Sequence, residues 1–453
     1  MSANHKIGVW SLTALVFSSM VGAGVFSLPQ NMAQVAAPLA VLIGWGITGV
    51  GILLLALCFL RLSRQRPDLE GGIYTYARAG FGELIGFCSA WGYWLCATIG
   101  IVSYLVIVFA TLGLFTDSEQ SRIFGDGNTW QAVVCGSLFV WAVHWLVARG
   151  IREAALVNLL ATIAKLLPLL LFIVLALLAF RLDLTQLDFQ GISLEVPVWE
   201  QVKQTMIITL WVFTGIEGAV VLSARAQKRQ DIGRATVFGV LLALVIYVLV
   251  TVLAFGLQAR ESLAGLHNPS MALLMEQLLG EPGKYIIAIG LVISVAASYL
   301  SWTLFAVEVP WSAATHGAFP AIFRRQNRQG VAINSLWLTS LTVQGSLLAV
   351  LWSGETYNTL LAISSQMILV PYLLVGAFLL RWSWQQRGRA QGTFGVGQYL
   401  IAGGATLYGA WLLYASGLDN LLLSLWLYVP GLALFWLARR GPQQLPLNAV
   451  ASD

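Results

Sequence analysis

Long apolar segments, separated by short polar loops, follow one another along the whole chain. An α-helix needs about 20 mostly apolar residues to cross the hydrocarbon core of a bilayer, and about twelve segments meet that length. The pattern therefore predicts an all-α membrane protein, with one further short helix outside the bilayer at 269–279. The predicted spans are residues 8–35, 38–60, 82–114, 129–148, 154–180, 199–224, 232–256, 283–315, 332–352, 357–381, 394–415 and 419–438.

Two of these segments contain residues that weaken a helix. The first includes SSMVGAGVFSLPQNMA (residues 18–33), which places two glycines and a proline inside a predicted span. The sixth includes LWVFTGIEGAVV (residues 210–221), in which glycines stand on both sides of an Ile-Glu pair. Glycine costs a helix about 1 kcal/mol relative to alanine, and proline about 3 kcal/mol. The two patterns predict helix breaks at 20–25 and 213–218.

The two weak segments occupy matching places in two sets of five spans. After five crossings the sixth span starts on the opposite side from the first, as in transporters built from inverted repeats. We therefore predict a first five-helix repeat over 8–180, an inverted second repeat over 199–381, and two additional helices over 394–438. A broken helix exposes N–H groups that attract a carboxylate and C=O groups that attract an ammonium. The alternative is that the glycines only permit close helix packing.

Composition and charge agree with a membrane protein. Hydrophobic residues make up 58% of the chain and charged residues 10%, whereas soluble domains carry about 25% charged residues. Most lysines and arginines fall in the loops that lie inside if the N-terminus is cytoplasmic, which predicts that both termini are cytoplasmic. The cysteines lie in apolar segments without a CxxC pair, and no nucleotide loop, metal-ligand spacing or nucleophile–base set is present. We expect no enzymatic activity, no catalytic residue, no metal or cofactor, and no nucleic-acid partner.

Three ionisable residues fall inside predicted spans, namely Lys165, Glu217 and Glu308. A charge in hydrocarbon is costly, so each is a candidate functional residue. Two acids facing a pocket would favour a ligand with a cationic side chain. For Lys165 a static ion pair with Glu308 is an open alternative.

Several motifs resemble the amino acid–polyamine–organocation superfamily. GAGVFSLPQNMA resembles its first-helix motif, WVFTGIEGAVV its sixth, and SWTLFAVEVPWSAATHGAFP its eighth. Together with DLEGGIYTYARAGFG and FCSAWGYWL, they are most similar to the basic amino acid/polyamine antiporter group, and within it to the bacterial arginine/ornithine antiporters. The resemblance implies an inverted-repeat bundle with first and sixth helices broken.

The resemblance also implies roles for individual residues. The first-helix break would bind the substrate carboxylate, one tryptophan would cover the substrate from outside, and a second would line the middle of the pocket. The implied substrate-binding residues are Gly22, Ala23, Gly24, Cys96, Ala97, Ile101, Trp211, Thr214, Trp302 and Ser364. The implied gating residues are Tyr93, Trp211, Glu217, Trp302 and Tyr372. The residues implied to replace a sodium ion or to couple protons are Lys165 and Glu308.

One position departs from the relatives that handle arginine. They carry a third-helix asparagine near the guanidinium, and this chain has Ile101, in WLCATIGIVSY. A buried apolar side chain cannot hydrogen-bond a guanidinium, so arginine need not be the preferred substrate. Thr214 also replaces a larger apolar residue that is common there.

The expected function is secondary antiport by alternating access. A cationic amino acid (arginine, lysine or ornithine) would be exchanged for a related amino acid or amine. The alternative is a proton-coupled uptake symporter with Lys165 or Glu217 as the proton site. We expect a multi-pass protein of the bacterial inner membrane, with an amino-acid substrate, surrounding lipid, and a homodimer as a possible assembly.

Overall fold

The structure, a computed structural model, describes residues 8–118, 120–180, 188–223, 226–354, 357–387 and 395–440. In these ranges the regular secondary structure is helical. The β pairing described there consists of two isolated bridges, Ser118–Ser121 and Gln326–Ala332. Short 3₁₀ turns lie at Ile192–Leu194 and Ala321–Arg324. The α-helices are α1 (Val9–Met20), α2 (Gly24–Val35), α3 (Pro38–Gln65), α4 (Ile73–Phe81), α5 (Glu83–Thr116), α6 (Trp130–Arg149), α7 (Ile151–Ala179), α8 (Val198–Phe213), α9 (Gly218–Val221), α10 (Arg229–Phe255), α11 (Arg260–Ala264), α12 (Ser270–Leu279), α13 (Glu281–Thr315), α14 (Ile333–Ser353), α15 (Tyr357–Gln385), α16 (Val396–Ser416), α17 (Leu418–Trp426) and α18 (Val429–Arg440).

The predicted all-α membrane architecture is confirmed. Among the described residues, nine helical segments are long and apolar enough to cross a membrane. The other three predicted spans are also helical. One is divided between α8 and α9, another is the glycine- and tyrosine-rich α16, and the last is divided between α17 and α18. The predicted short helix at 269–279 corresponds to α12.

The first and sixth spans are both interrupted. Residues 21–23 separate α1 from α2, and residues 214–217 separate α8 from α9. Pro29 lies inside α2 and does not end it. The chain leaves helical geometry at Val21, where ψ is 75°, directly before Gly22. The first break therefore falls on the glycines and not on the proline.

The interrupted helices lie inside the bundle. α1 packs against α7, α10 and α13, and α5 packs against α13 and α15. On the outside, Leu167 and Leu178 of α7 are 72% and 80% exposed. Large exposed apolar surfaces of this kind mark contact with a membrane. The helix breaks are consequently enclosed by protein, where unpaired backbone groups are tolerated only if they line a cavity or meet a partner.

Candidate functional site

The start of α2 presents free backbone donors at the first break. Gly22 N–H donates to Met20 O at 2.9 Å, and Phe26 N–H donates to Ala23 O at 3.1 Å. Within the described part of the chain, no acceptor meets the N–H groups of Ala23 or Gly24. All three residues from Gly22 to Gly24 are buried. A helix N-terminus with free N–H groups carries partial positive charge and suits an anion such as a carboxylate.

The carbonyl end of α1 is already filled by the protein's own donors. Lys165 Nζ of α7 lies 3.1 Å from Ser18 O and 2.5 Å from Val21 O. From α13, Ser298 Oγ donates to Ser18 O at 2.5 Å, and Ser294 Oγ donates to Val21 O at 3.0 Å. The ammonium therefore sits at the negative end of a helix dipole, which stabilises its charge. It links α7 to the same two carbonyls that α13 binds.

Lys165 bonds the carbonyl end of α1, and the alternative of an ion pair with Glu308 stays a prediction. Lys165 is fully buried and donates to α1, including Ser18 Oγ at 3.0 Å. Glu308 is itself buried on α13. The carbonyls at the end of a helix are polarised, which makes them suitable acceptors for the ammonium.

The two helix breaks touch each other. Ser19 Oγ of α1 donates to Gly215 O in the sixth-helix break at 3.0 Å. Gly215 has φ 112°, and a β-carbon there would lie 2.5 Å from Ser19 Oγ and 3.0 Å from the Ser19 carbonyl carbon. Glycine is required at this position on both grounds. Trp302 Nε1 donates to Ser19 O at 3.0 Å, which connects α13 to the same point.

A cluster of four side chains lies beside the helix breaks and comprises Tyr93, Glu217, Tyr372 and Trp302. Tyr372 Oη donates to Glu217 Oε2 at 2.5 Å and accepts from Gly215 N–H at 3.3 Å. Tyr93 neighbours the same carboxylate, and its ring stacks on Trp302 with centroids 6.0 Å apart. Tyr93 Oη and Glu217 Oε1 are buried without a hydrogen-bond partner in the described residues. The cluster combines a carboxylate with unfilled hydrogen-bonding capacity.

Trp211 lies against the start of α2. Its Nε1 donates to Tyr357 Oη, at the start of α15, at 3.1 Å. Its ring lies against Tyr104 of α5, with centroids 5.9 Å apart. A β-carbon on Gly24 would lie 3.1 Å from Trp211 Cδ1. The indole is therefore held over the start of α2 by side chains from α5 and α15.

The candidates on α5, α8 and α15 are buried side chains with local partners. Ser364 Oγ donates to Cys96 O at 2.7 Å and lies 3.4 Å from Cys96 Sγ. Thr214 Oγ1 donates to Leu210 O, one turn back in α8, at 3.0 Å. Ala97 and Ile101 are fully buried. The described side chains of this set are uncharged, and their polar groups are the hydroxyls of Ser364 and Thr214 and the thiol of Cys96.

Sequence reasoning missed four contributors, and helical spacing carries a signal for each. Ser294 and Ser298 precede Trp302 by eight and four residues on one face of α13. Tyr104 follows Ile101 by three and Ala97 by seven residues on α5, and Tyr357 precedes Ser364 by seven on α15. Residues at these spacings share a helix face. A metal site and a separate cleft are two further candidates. Among the described residues, no group of three or more His, Cys, Asp or Glu side chains could hold a metal ion. An apolar cleft lined by Pro38, Phe180 and Phe255 involves none of the predicted site residues.

The fold and the site define a multi-pass membrane protein with two broken helices around a closed, buried site. A family model described as an amino acid permease matches residues 7–444. The chain belongs to this family of the amino acid–polyamine–organocation superfamily, which comprises transporters and not enzymes. The predicted superfamily is confirmed.

Three relatives illustrate the similarity. The chain is 60% identical to a protein of Escherichia coli K12 named putative arginine/ornithine antiporter, over 96% of this chain and 92% of the relative. It is 45% identical to an arginine/ornithine antiporter of Pseudomonas aeruginosa, over 96% and 91%. It is 40% identical to an arginine/agmatine antiporter of Chlamydia caviae, over 96% and 90%. The similarity therefore covers nearly the whole length of each chain.

Proposed function

We propose that the chain is a secondary antiporter that exchanges a cationic amino acid, arginine, lysine or ornithine, for a related substrate. The observation that carries the proposal is the difference between the two ends of the first-helix break. The N–H groups of Ala23 and Gly24 have no acceptor among the described residues, while Lys165 occupies the carbonyl end. The names of the relatives support antiport and do not favour the symporter alternative.

The substrate would lie across the two breaks. Its carboxylate would meet the start of α2, with Gly22 leaving room, and Trp302 would line the middle of the pocket. Its side chain would extend along Cys96, Ala97, Ile101, Thr214 and Ser364. Glu217 favours a cationic side chain, since it is the carboxylate nearest the breaks and retains a free oxygen.

Alternating access would proceed between two gates. Trp211 covers the substrate on the outer side, and Tyr93, Glu217 and Tyr372 close the cytoplasmic side. The two five-helix halves, 8–180 and 199–381, would be inverted repeats, with 394–438 appended. Both termini would be cytoplasmic, in a bacterial inner membrane. A homodimer stays a prediction from the sequence.

Lys165 would act as a fixed cation in place of a sodium ion. Its ammonium joins α7 to α1 at carbonyls that α13 also binds. A permanently bound cation would give the exchanger no ion to release with the substrate, so accumulation would have to be driven by a counter-substrate gradient. Glu308, which lies on α13 six residues after Trp302, remains a candidate proton-coupling residue.

Counterflow in proteoliposomes tests the proposal. Liposomes preloaded with ornithine should take up labelled arginine without sodium, and liposomes with no internal amino acid should not. The control is empty liposomes with an inward proton gradient. Accumulation there, abolished in Lys165→Ala, would overturn the antiporter in favour of the symporter.

A further inference from the structure

Tyr104 places a phenolic hydroxyl at the first-helix break. It lies on the face of α5 that carries Ala97 and Ile101, and it is 4% exposed. A β-carbon on Gly22 would lie 2.9 Å from Tyr104 Oη. The same β-carbon would lie 3.0 Å from Ser298 Oγ. Gly22 thus gives the hydroxyl direct access to the backbone of the break.

The proton of this hydroxyl has no acceptor in the described part of the chain. The indole of Trp302 is a near neighbour, but an indole N–H can only donate. That N–H is already directed to Ser19 O. The Oγ of Ser298 donates to Ser18 O and does not bond Tyr104. The hydroxyl therefore keeps its proton available for an acceptor that arrives from outside the protein, such as a ligand bound at the break.

The N–H groups of Ala23 and Gly24 lie next to Gly22 in the chain and also lack acceptors. We propose that Tyr104 Oη donates a hydrogen bond to the substrate α-carboxylate, together with these two N–H groups. The inference rests on the proposed function, and it narrows the substrates on both sides of the exchange to molecules that retain a carboxylate. An amine that lacks the carboxylate would leave all three donors without that acceptor, and a site built to hydrogen-bond a group strongly rejects analogues that lack it.

Paired competition assays test Tyr104. Purified protein is assayed with L-arginine against agmatine, L-ornithine against putrescine, and L-histidine against histamine, where each amine is the decarboxylated amino acid. The wild type should bind the amino acid of a pair far more tightly than the amine. Tyr104→Phe should lower the affinity for the amino acid by about tenfold or more, the loss expected for a hydrogen bond to a charged group. Its affinity for the amine should not change.

Tyr247→Phe is the matched control. Tyr247 is also a buried tyrosine near the site, but its hydroxyl donates to Val212 O at 2.7 Å. The amino acid-to-amine ratio should be unchanged in this variant. Ligand-induced thermal stabilisation of the wild type by L-arginine, L-argininamide and agmatine provides a second measurement that needs no variant, and only L-arginine should stabilise strongly.

Two results would overturn the inference. One is a wild type that binds the amines as tightly as the amino acids. The other is a Tyr104→Phe variant whose affinity for both members of each pair falls equally. That result would assign Tyr104 to packing against Trp211. Failure of the proposed function would look different, because no dibasic amino acid would then compete at all. Whichever amino acid does bind is then compared with its own amine, and the ratio still decides the role of Tyr104.

Discussion

Gly24 illustrates how one missing side chain keeps the two interrupted helices together. A β-carbon there would lie 2.8 Å from Val212 Cγ1 and 3.1 Å from Trp211 Cδ1, both on α8. These are side-chain atoms, so a larger residue would displace them without breaking the main chain of α8. Because Trp211 also covers the start of α2, the displacement reaches the proposed carboxylate position.

We expect Gly24→Val to abolish substrate binding while the protein stays folded and inserted. The valine would occupy the space beside the free N–H groups and push the indole outward. Binding is measured by competition with labelled arginine, and folding by size-exclusion profile. Gly46→Val is the control, since a β-carbon on Gly46 of α3 meets nothing within 4 Å. Wild-type affinity in Gly24→Val would remove the first break from the binding site.

At the level of elements, the position of α1 depends on donors from two other helices. Lys165 of α7 and two serines of α13 share the carbonyls of Ser18 and Val21. The carbonyl end of α1 is therefore tied to both α7 and α13 by hydrogen bonds. This linkage is the physical basis for treating the lysine as a structural cation.

Lys165→Ala should greatly slow exchange without changing which substrates compete. The variant removes the ammonium and leaves the carbonyls to the serines alone, so α1 is held less firmly. We expect a loss of stability of about 1–3 kcal/mol, the range for a buried group deprived of its partner. Exchange is followed in preloaded liposomes and stability by thermal unfolding. Lys203→Ala, whose lysine pairs with Glu200 near the surface, is the control, and equal effects of the two variants would contradict the linkage.

Trp211, the proposed outer cover of the site, is held by a hydrogen bond between two elements, α8 and α15. Trp211 Nε1 donates to Tyr357 Oη, and Tyr357→Phe removes only the acceptor. We expect the cover to open more often, so an impermeant thiol reagent should label Cys96 faster in a background with Cys88 and Cys135 changed to serine. Tyr399→Phe is the control, because Tyr399 bonds Ser383 O outside the site. Unchanged labelling in Tyr357→Phe would show that the hydrogen bond does not hold the cover closed.

In the whole molecule, two hydrogen-bonded groups flank the helix breaks. Trp211 bonds Tyr357, and Tyr372 bonds Glu217, and we propose that they close the site on its two sides. If Lys165 acts as the proposed fixed cation, its charge stays with the protein in either orientation. The net charge moved in one cycle would then be set by the two substrates alone.

Arginine–ornithine exchange should be insensitive to membrane potential. Both substrates carry the same net charge at neutral pH, and no further ion moves if Lys165 keeps its proton. Uptake of labelled arginine into ornithine-loaded liposomes is compared with and without a potassium diffusion potential of either sign. A fluorescent potential indicator confirms in each sample that the potential is present. Uptake that rises with an inside-negative potential would reveal co-transport of a cation and contradict the fixed-charge role.

The sequence alone determined the properties that depend on local chain chemistry. Apolar runs predict helical spans because a bilayer forces the backbone to hydrogen-bond within each segment. The glycines at 22 and 215 likewise indicate where helices end, since they weaken a helix wherever it packs. The family motifs identified Tyr93, Glu217 and Tyr372, which lie together in the structure.

Only the tertiary structure decided which groups meet across helices. The sequence left Lys165 between a carboxylate and a bracing role, and packing of α7 on α1 placed its ammonium on backbone carbonyls, which carry no sequence signature. Tyr104 and Tyr357 share helix faces with predicted residues, yet spacing alone cannot say that one hydroxyl lies at a helix break and the other accepts from an indole. Those contacts depend on helix crossing positions, which are set by the shapes of all the packed side chains together.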